Sequence, residues 1–129
     1  MANQEYLIKL SMLEQQSSKI EEQIKALEEQ ITELQGLKYG VDEINKSKEK
    51  EILAGLGKGI FVPAEIKSKE FIVDIGSKIF VKKNSNEINK IIENQTHEIT
   101  KVKEKLLEEL DKLNIEMEKA IEEIQKKPE

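Results

Sequence analysis

Few residues of this chain could do chemistry, and their spacing fits no reactive site. His97 is the only histidine and there is no cysteine, so the usual zinc ligands and thiol chemistry are missing. The run Gly55-x-Gly57-x-Gly59 lacks the Lys-Ser/Thr of a P-loop and the glycine spacing of a dinucleotide turn, so a β turn explains it better. The many carboxylates are expected on helix exteriors, where nothing desolvates them enough to tune a pKa. We therefore predict a protein that is not an enzyme and that has no cofactor and no metal site.

Composition and charge exclude several classes of partner. Hydrophobic residues make up 37% of the chain and charged residues 36%, against about 45–50% and about 25% in average globular domains. Aromatic residues are only 4%, which argues against a thick core, while the strict periodicity of the apolar residues argues against disorder. The net charge of −5 gives no reason to expect nucleic acid or an anionic membrane as partner. With neither a signal peptide nor a long apolar run in the sequence, a cytoplasmic protein is expected.

A β-rich segment, residues 51–83, is expected to hold about four short strands. Apolar residues alternate from residue 60 to 66 and again from residue 71 to 75, as in strands with two different faces. Lys67–Glu70 is short and polar enough to be a hairpin connection, and Gly76-Ser77-Lys78 suits a second tight turn. A further strand, 52–56, precedes Gly57-Lys58-Gly59. Two lone hairpins cannot cover both of their faces, so this segment is predicted to bind other chains. The predicted assembly residues are Phe61, Val62, Phe71, Val73, Ile75 and Phe80.

On either side of this segment the apolar residues follow a heptad repeat. The first stretch has alternating steps of four and three residues, which predicts one continuous helix in a left-handed coiled coil. Asn3 is expected to cap this helix, Asn84 with Glu87 to form a capping box for the second, and Pro128 to end the second. The first predicted seam is Tyr6, Leu10, Leu13, Ser17, Ile20, Ile24, Leu27, Ile31, Leu34, Lys38 and Val41. The second is Ile88, Ile92, Gln95, Ile99, Val102, Leu106, Leu110, Leu113, Met117, Ile121 and Ile124.

The two helical patterns have nearly equal length, as an antiparallel intrachain hairpin requires. The predicted fold class is mainly α with a small β part: a long antiparallel coiled-coil hairpin with two β-hairpins at its base. We predict three segments: an N-terminal coiled-coil helix in 1–50, a β-hairpin assembly base in 51–83 and a C-terminal coiled-coil helix in 84–129.

The free end of the predicted helix pair carries more apolar residues than a two-helix seam can bury. Exposed apolar surface rimmed by charge is typical of an interaction site, and methionine suits a surface that accepts varied partners. We predict a client-binding tip there, formed by Tyr6, Leu7, Ile8, Leu10, Met12, Leu13, Met117, Ile121 and Ile124.

The β-rich segment also carries a family resemblance. Its sequence Gly57-x-Gly59-x-Phe61-Val62-Pro63-Ala64-Glu65-Ile66, the run Ile72–Gly76 (IVDIG) and the following long heptad helix closely resemble the prefoldin alpha subunit of archaeal type, or a close alpha-like paralogue. The resemblance covers essentially the whole chain. It implies a hexamer of two alpha and four prefoldin beta subunits, whose β-hairpins join into a body that carries coiled-coil tentacles.

The resemblance further implies an ATP-independent holdase that grips unfolded proteins with its tentacle ends and delivers them to a group II chaperonin. The alternative is an alpha-like structural subunit that polymerises through its β base into a filament or scaffold. The sequence does not decide between them, because the same strand edges would serve both. A coiled-coil arm that binds nucleic acid is disfavoured by the acidic helices and the absence of arginine.

Overall fold

The structure is a computed structural model, and it describes residues 2–126. Its elements follow the order α1 (Ala2–Lys46), β1 (Glu51–Gly57), β2 (Ile60–Glu65), β3 (Phe71–Asp74), β4 (Phe80–Lys83) and α2 (Ser85–Lys126). Pro128, the expected end of the second helix, lies outside the described residues. The predicted fold class is confirmed, since two long helices flank two small antiparallel hairpins.

The chain divides into two compact units. The helical unit consists of residues 1–32 and 96–129, and the mixed unit consists of residues 33–95. Both helices continue from one unit into the other. Each unit therefore contains a stretch of α1 paired with a stretch of α2, and the mixed unit also holds both β-hairpins.

The start of α2 is capped as the sequence predicts, whereas the start of α1 is not. The backbone N–H of Glu87 donates to Asn84 Oδ1 over 2.8 Å, and the N–H of Asn84 donates to Glu87 Oε1 over 3.2 Å. This reciprocal pair is a capping box that satisfies two otherwise unpaired donors. The expectation for Asn3 is wrong, because α1 already begins at Ala2 and Asn3 Oδ1 is buried without a hydrogen-bond partner.

A lysine from the connection between the two hairpins caps the far end of α1. Lys69 Nζ donates to the carbonyl oxygens of Ile44, Asn45 and Ser47 over 3.1, 2.8 and 2.6 Å. The last carbonyls of a helix have no partner within the helix and carry its negative dipole end, so an ammonium group is stabilising there. This contact ties the connection after β2 to the end of α1.

Two polar contacts between the helices show that they run antiparallel. In the mixed unit, Asn89 Nδ2 donates to Asp42 Oδ1 over 2.9 Å. In the helical unit, Lys103 Nζ lies 3.6 Å from Glu28 Oε1. In each of these pairs the two residue numbers add up to 131. The register in which α1 pairs with α2 is therefore the same in the two units.

The seam of α1 is confirmed, and the seam of α2 needs correction at three positions. All eleven predicted positions of α1 are buried or half-buried, with Leu13, Ser17, Ile24 and Val41 buried. In α2 the predicted Gln95, Val102 and Ile121 are exposed, and Thr96, Lys103 and Ala120 take their places. With these residues the steps of four and three become regular from residue 92 to 124. The long stem of Lys103 covers apolar surface while its ammonium reaches Glu28.

The core of the mixed unit is a small cluster between the helices and one hairpin. Val41, Ile88 and Ile92 are buried together, and Leu34 packs against them from α1. Phe71 and Val73 pack on the same cluster from β3. The β3–β4 hairpin is therefore anchored to the helix pair by its inward face.

The four strands form two separate sheets. β1 pairs with β2 and β3 pairs with β4, both antiparallel, and the two sheets have two strands each. Lys67–Glu70, expected as a possible hairpin connection, instead links one sheet to the other. Lys58 and Gly59 join β1 to β2 with φ angles of 52° and 78°, the left-handed pair that a type I′ hairpin turn requires.

We expect the Lys69 cap to contribute to stability. Replacing Lys69 with Met keeps the aliphatic stem and removes the donor, and should cost about 1 kcal/mol, because the charge-assisted bonds are made at an exposed site. The measurement is the urea midpoint, with Lys67→Met as control, since Lys67 lies two residues away in the same connection and caps no carbonyl. Equal midpoints for the two variants would contradict this role.

The carboxyl group of Asp42 should make stability depend on pH. The hydrogen bond from Asn89, then that from Lys38 Nζ at 3.1 Å, hold the pKa of Asp42 below its ordinary value of 3.8. A lowered folded pKa stabilises the protein above the unfolded value, and the effect is lost as pH falls through the folded value. The urea midpoint of the natural chain should therefore exceed that of Asp42→Asn above pH 3.8, and the difference should shrink at lower pH. A difference that does not change with pH would contradict the assignment.

Candidate protein-binding surfaces

The β3–β4 hairpin has one covered face and one open face. Val73 pairs with Val81 across the two strands, and both side chains are half-buried on the side of the helices. On the other side, Ile72 is 71% exposed and Phe80 is 60% exposed. The strand period of two explains this contrast between neighbouring residues. The hairpin thus presents an outward face on which Ile72 and Phe80 are exposed beside the charged Asp74 and Lys82.

The β1–β2 hairpin is open on both faces. Leu53 and Phe61 are exposed on one face, and Ile60 and Val62 are exposed on the other. Leu56 sits at a register shift between Gly55 and Gly57, so it has no partner in the ladder and is 70% exposed. A two-stranded sheet with no covered face is at best marginally stable in water, and its outer edges offer unpaired backbone groups to another strand.

The structure divides the six predicted assembly residues. Phe61, Val62, Ile75 and Phe80 are exposed and available to another chain. Phe71 and Val73 are half-buried and pack on the cluster of Val41, Ile88 and Ile92 in their own chain. Several further exposed residues complete the apolar surface of the two hairpins and are not among the predicted assembly residues: Leu53, Leu56, Ile60, Ile72 and Ile79.

A groove of about 350 Å³ lies beside the open hairpin surface within the mixed unit. It is lined by Leu37 and Val41 of α1, by all four residues of β3, and by Ile91 and neighbouring residues of α2. Because every residue of β3 borders it, the groove runs along this strand. Leu37 is exposed and continues the apolar surface onto α1.

A second apolar surface lies in the helical unit. Leu7, Ile8 and Met12 of α1 are 53%, 63% and 56% exposed, and Ile121 of α2 is 42% exposed. The shared register places residue 12 opposite residue 119, so these residues belong to the same end of the helix pair. We call Leu7, Ile8, Met12 and Ile121 the tip surface.

The remaining predicted tip residues belong to the helix seam. Leu13 is buried, and Tyr6, Leu10, Met117 and Ile124 are half-buried. Ile115 is 52% exposed and is not among the predicted tip residues. The sequence does mark it as an apolar residue outside the seam, because it lies between the seam positions 113 and 117.

Metal-ligand groups and membrane-spanning helices are both absent from the part of the chain that the structure describes. Over residues 2–126 there is no group of three His, Cys, Asp or Glu side chains placed to hold a metal ion. His97 is exposed on α2. In the same part of the chain, neither helix is apolar enough over a sufficient length to cross a bilayer. The described residues do expose apolar surface, and large exposed apolar patches typically mark interaction sites.

Comparison with known proteins agrees with this picture. A family model described as "Prefoldin subunit" matches residues 13–128. No curated protein is similar enough to match. Among solved structures, the chain resembles the one titled "Cryo-EM structure of filamentous PFD from Methanocaldococcus jannaschii", with 20% sequence identity and a TM-score of 0.50. The match covers 95% of this chain and 97% of that one. At this identity the likeness concerns the fold.

The outward face of β3–β4 should be needed for binding other chains, and the inward face for folding. Ile72→Asp places a charge on the open face, so it should leave the helix content unchanged and lower the oligomer mass. Val73→Ala changes the adjacent residue on the covered face and should cost about 1 kcal/mol of stability.

Circular dichroism and light scattering on the two variants separate these effects. An Ile72→Asp oligomer of natural mass would contradict the role of this face. Ile72→Val, which keeps the same position apolar, is the matched control and should change neither quantity.

Proposed function

Because the chain belongs to the prefoldin family, a family of non-enzymatic chaperones, we propose that it is a subunit of an ATP-independent holdase. In this proposal its tip surface captures unfolded polypeptides, and the assembly delivers them to a group II chaperonin. The observation that carries the proposal is the exposure of Leu7, Ile8, Met12 and Ile121 at one end of the helix pair. Cytoplasmic action stays a prediction from the sequence.

Physical chemistry supports binding by this surface without any reaction. Burying one aliphatic side chain is worth roughly 1.5–3 kcal/mol. A client that covers two or three side chains of the tip surface gains only a few kcal/mol from one subunit. Several subunits that hold one client at once raise its effective affinity much further, because the later contacts are intramolecular. Weak contacts of this kind also let the client leave.

The proposed assembly is the hexamer of two alpha and four beta subunits, with this chain as the alpha type. Two hairpins connect the helices, as in the alpha type, whereas the resemblance implies a single hairpin in beta subunits. The exposed residues Phe61, Val62, Ile75 and Phe80 would meet the sheets of the other subunits. Family members assemble into oligomers, and the open faces and edges of both hairpins favour strand pairing between chains.

A filament or scaffold subunit is the second candidate. The open strand edges suit repeated addition of subunits as well as they suit a closed ring. The similar structure from Methanocaldococcus jannaschii is titled as filamentous. The mass distribution of the complex purified from its own cell separates the candidates, since a hexamer has one mass and a filament has a broad range.

The holdase proposal predicts that activity depends on the exposed tip and not on the seam. The variant Leu7→Ser/Ile8→Ser/Met12→Ser removes three exposed side chains and leaves the buried Leu13 in place. It should lose suppression of the aggregation of a denatured test protein without nucleotide, while its oligomer mass stays unchanged. Light scattering of the client and of the complex measures both.

The matched control is Val102→Ser/Leu107→Ser, which changes two side chains that are 49% and 41% exposed and lie in the helical unit but outside the tip surface. This control should keep its holding activity. A tip variant that still holds clients at full strength would overturn the proposal, and so would a natural complex that holds none.

A further inference from the structure

The pair of Asp42 and Asn89 is a polar contact in an otherwise apolar part of the helix seam. Its neighbours Val41 and Ile88 are 4% and 8% exposed. Asn89 Nδ2 donates to one carboxylate oxygen of Asp42 over 2.9 Å, and Lys38 Nζ donates to the other over 3.1 Å. Both Asp42 and Asn89 are half-buried. A leucine pair would fill such a position with less desolvation cost, so the polar pair calls for another reason.

The aliphatic seam by itself does not define one alignment of the helices. Both helices repeat with steps of four and three, so a shift by one heptad places apolar residues opposite apolar residues again. The polar pair does not survive such a shift. With the shift in one direction, Asp42 faces Thr96 and Asn89 lies beyond the end of α1. With the shift in the other direction, Asn89 faces Gln35 and Asp42 lies beyond the start of α2.

We propose that the Asp42–Asn89 pair, supported by Lys38, selects the register in which α1 and α2 pair. In a shifted register the half-buried carboxylate keeps Lys38 of its own helix but loses the hydrogen bond from Asn89 across the seam, and hydrogen bonds to charged groups are among the stronger ones. Asn89 Oδ1 is already buried without a partner, so the amide is held where its nitrogen faces the carboxylate. A single polar position that specifies the alignment of a coiled coil is a known use of such residues. The inference goes beyond the holdase proposal and does not depend on it.

The register matters for the tip surface. In the observed register residue 12 lies opposite residue 119. A shift of one heptad would place it opposite residue 112 or 126, and would move α2 by about 10.5 Å along α1. The side chains of α2 that stand beside Leu7, Ile8 and Met12 would then be different. Asp42 and Asn89 are therefore positioning residues for that surface.

Because the chain has no cysteine, engineered cysteine pairs can report the register directly. The pair Glu28→Cys with Lys103→Cys reports the observed register, since these residues face each other. The pairs Glu28→Cys with Thr96→Cys and Glu28→Cys with Leu110→Cys report a shift of one heptad in either direction. A disulfide needs Cα atoms within about 7 Å, so each pair forms a bond only in its own register. The full-length oligomer is oxidised, and a denaturing gel separates intrachain from interchain bonds.

In each reporter background the test variant is Asp42→Leu/Asn89→Leu. The ratio of 28–103 bonds to shifted bonds should fall about tenfold or more, the factor that one charge-assisted hydrogen bond supplies. Thr100→Leu adds a leucine at another half-buried position of α2, next to the seam residue Ile99, and should leave the ratio unchanged. The exchanged pair Asp42→Asn/Asn89→Asp restores an amide facing a carboxylate and should keep the natural ratio.

The results separate register selection from a purely stabilising role. If the leucine pair changes the unfolding midpoint but not the ratio of bonds, the proposal is wrong and the β segment alone sets the register. If the leucine pair fails to fold, the exchanged pair decides. A natural ratio in the exchanged pair together with a fallen ratio in the single variant Asn89→Leu supports the proposal, and a natural ratio in Asn89→Leu overturns it.

Discussion

The seam between α1 and α2 is the interaction on which the rest of this structure depends. Within each hairpin the two strands are held together by their backbone hydrogen bonds. Strand β3 is also held against the helices, by its packing on the cluster of Val41, Ile88 and Ile92. The inward face of β3–β4 uses that cluster, and the β1–β2 hairpin is joined to the helices through its connections and the Lys69 cap. No described side chain is fully buried. A two-layer seam of this kind stabilises a fold but cannot also cover a second sheet.

What the seam leaves uncovered is apolar surface of the kind that typically marks an interaction site. A globular domain of this length would bury its aromatic residues, whereas Phe61 and Phe80 remain 59% and 60% exposed here. The β1–β2 hairpin has no covering layer on either face, so its stability should come from neighbours in an assembly. Ile72 points outward and the adjacent Val73 points inward from the same strand. This alternation separates the exposed face of the hairpin from the face that packs on the helices.

The sequence predicts the helices and the number of strands well because periodicity carries that information. The predicted seam of α1 is correct at every position, because the heptad spacing and the positions of the aliphatic residues agree in this helix. The predicted seam of α2 is wrong where the more apolar residue is not the one that the helix geometry turns towards α1. Val102 is more apolar than Lys103, yet the lysine stem fits the seam position and its ammonium reaches Glu28. Ala120 occupies the seam position with 3% of its surface exposed, whereas the larger and more apolar Ile121 beside it is 42% exposed.

Other features could not be predicted because they depend on contacts between distant parts of the chain. The polar stretch 67–70 is equally compatible with a hairpin turn and with a link between sheets, and only the pairing of β1 with β2 decides. The alternation of β3 shows that it has two faces but does not tell which face meets the helices. For the same reason Phe71 and Val73 were grouped with the exposed assembly residues, although they pack in their own chain.

The two surfaces lie in different units, and this bears on how such a chain can work. The open sheets belong to the mixed unit, and the tip surface belongs to the helical unit. An exposed apolar tip would also promote aggregation unless another feature of the chain kept the copies of the protein apart. The helical unit combines that tip with dense exposed charge, and the whole chain has a net charge of −5, which opposes association of tips with each other. Association through the sheets is opposed less, because residues 51–83 hold six lysines against four acidic residues. The distribution of charge thus opposes association less at the sheets than at the tip surface.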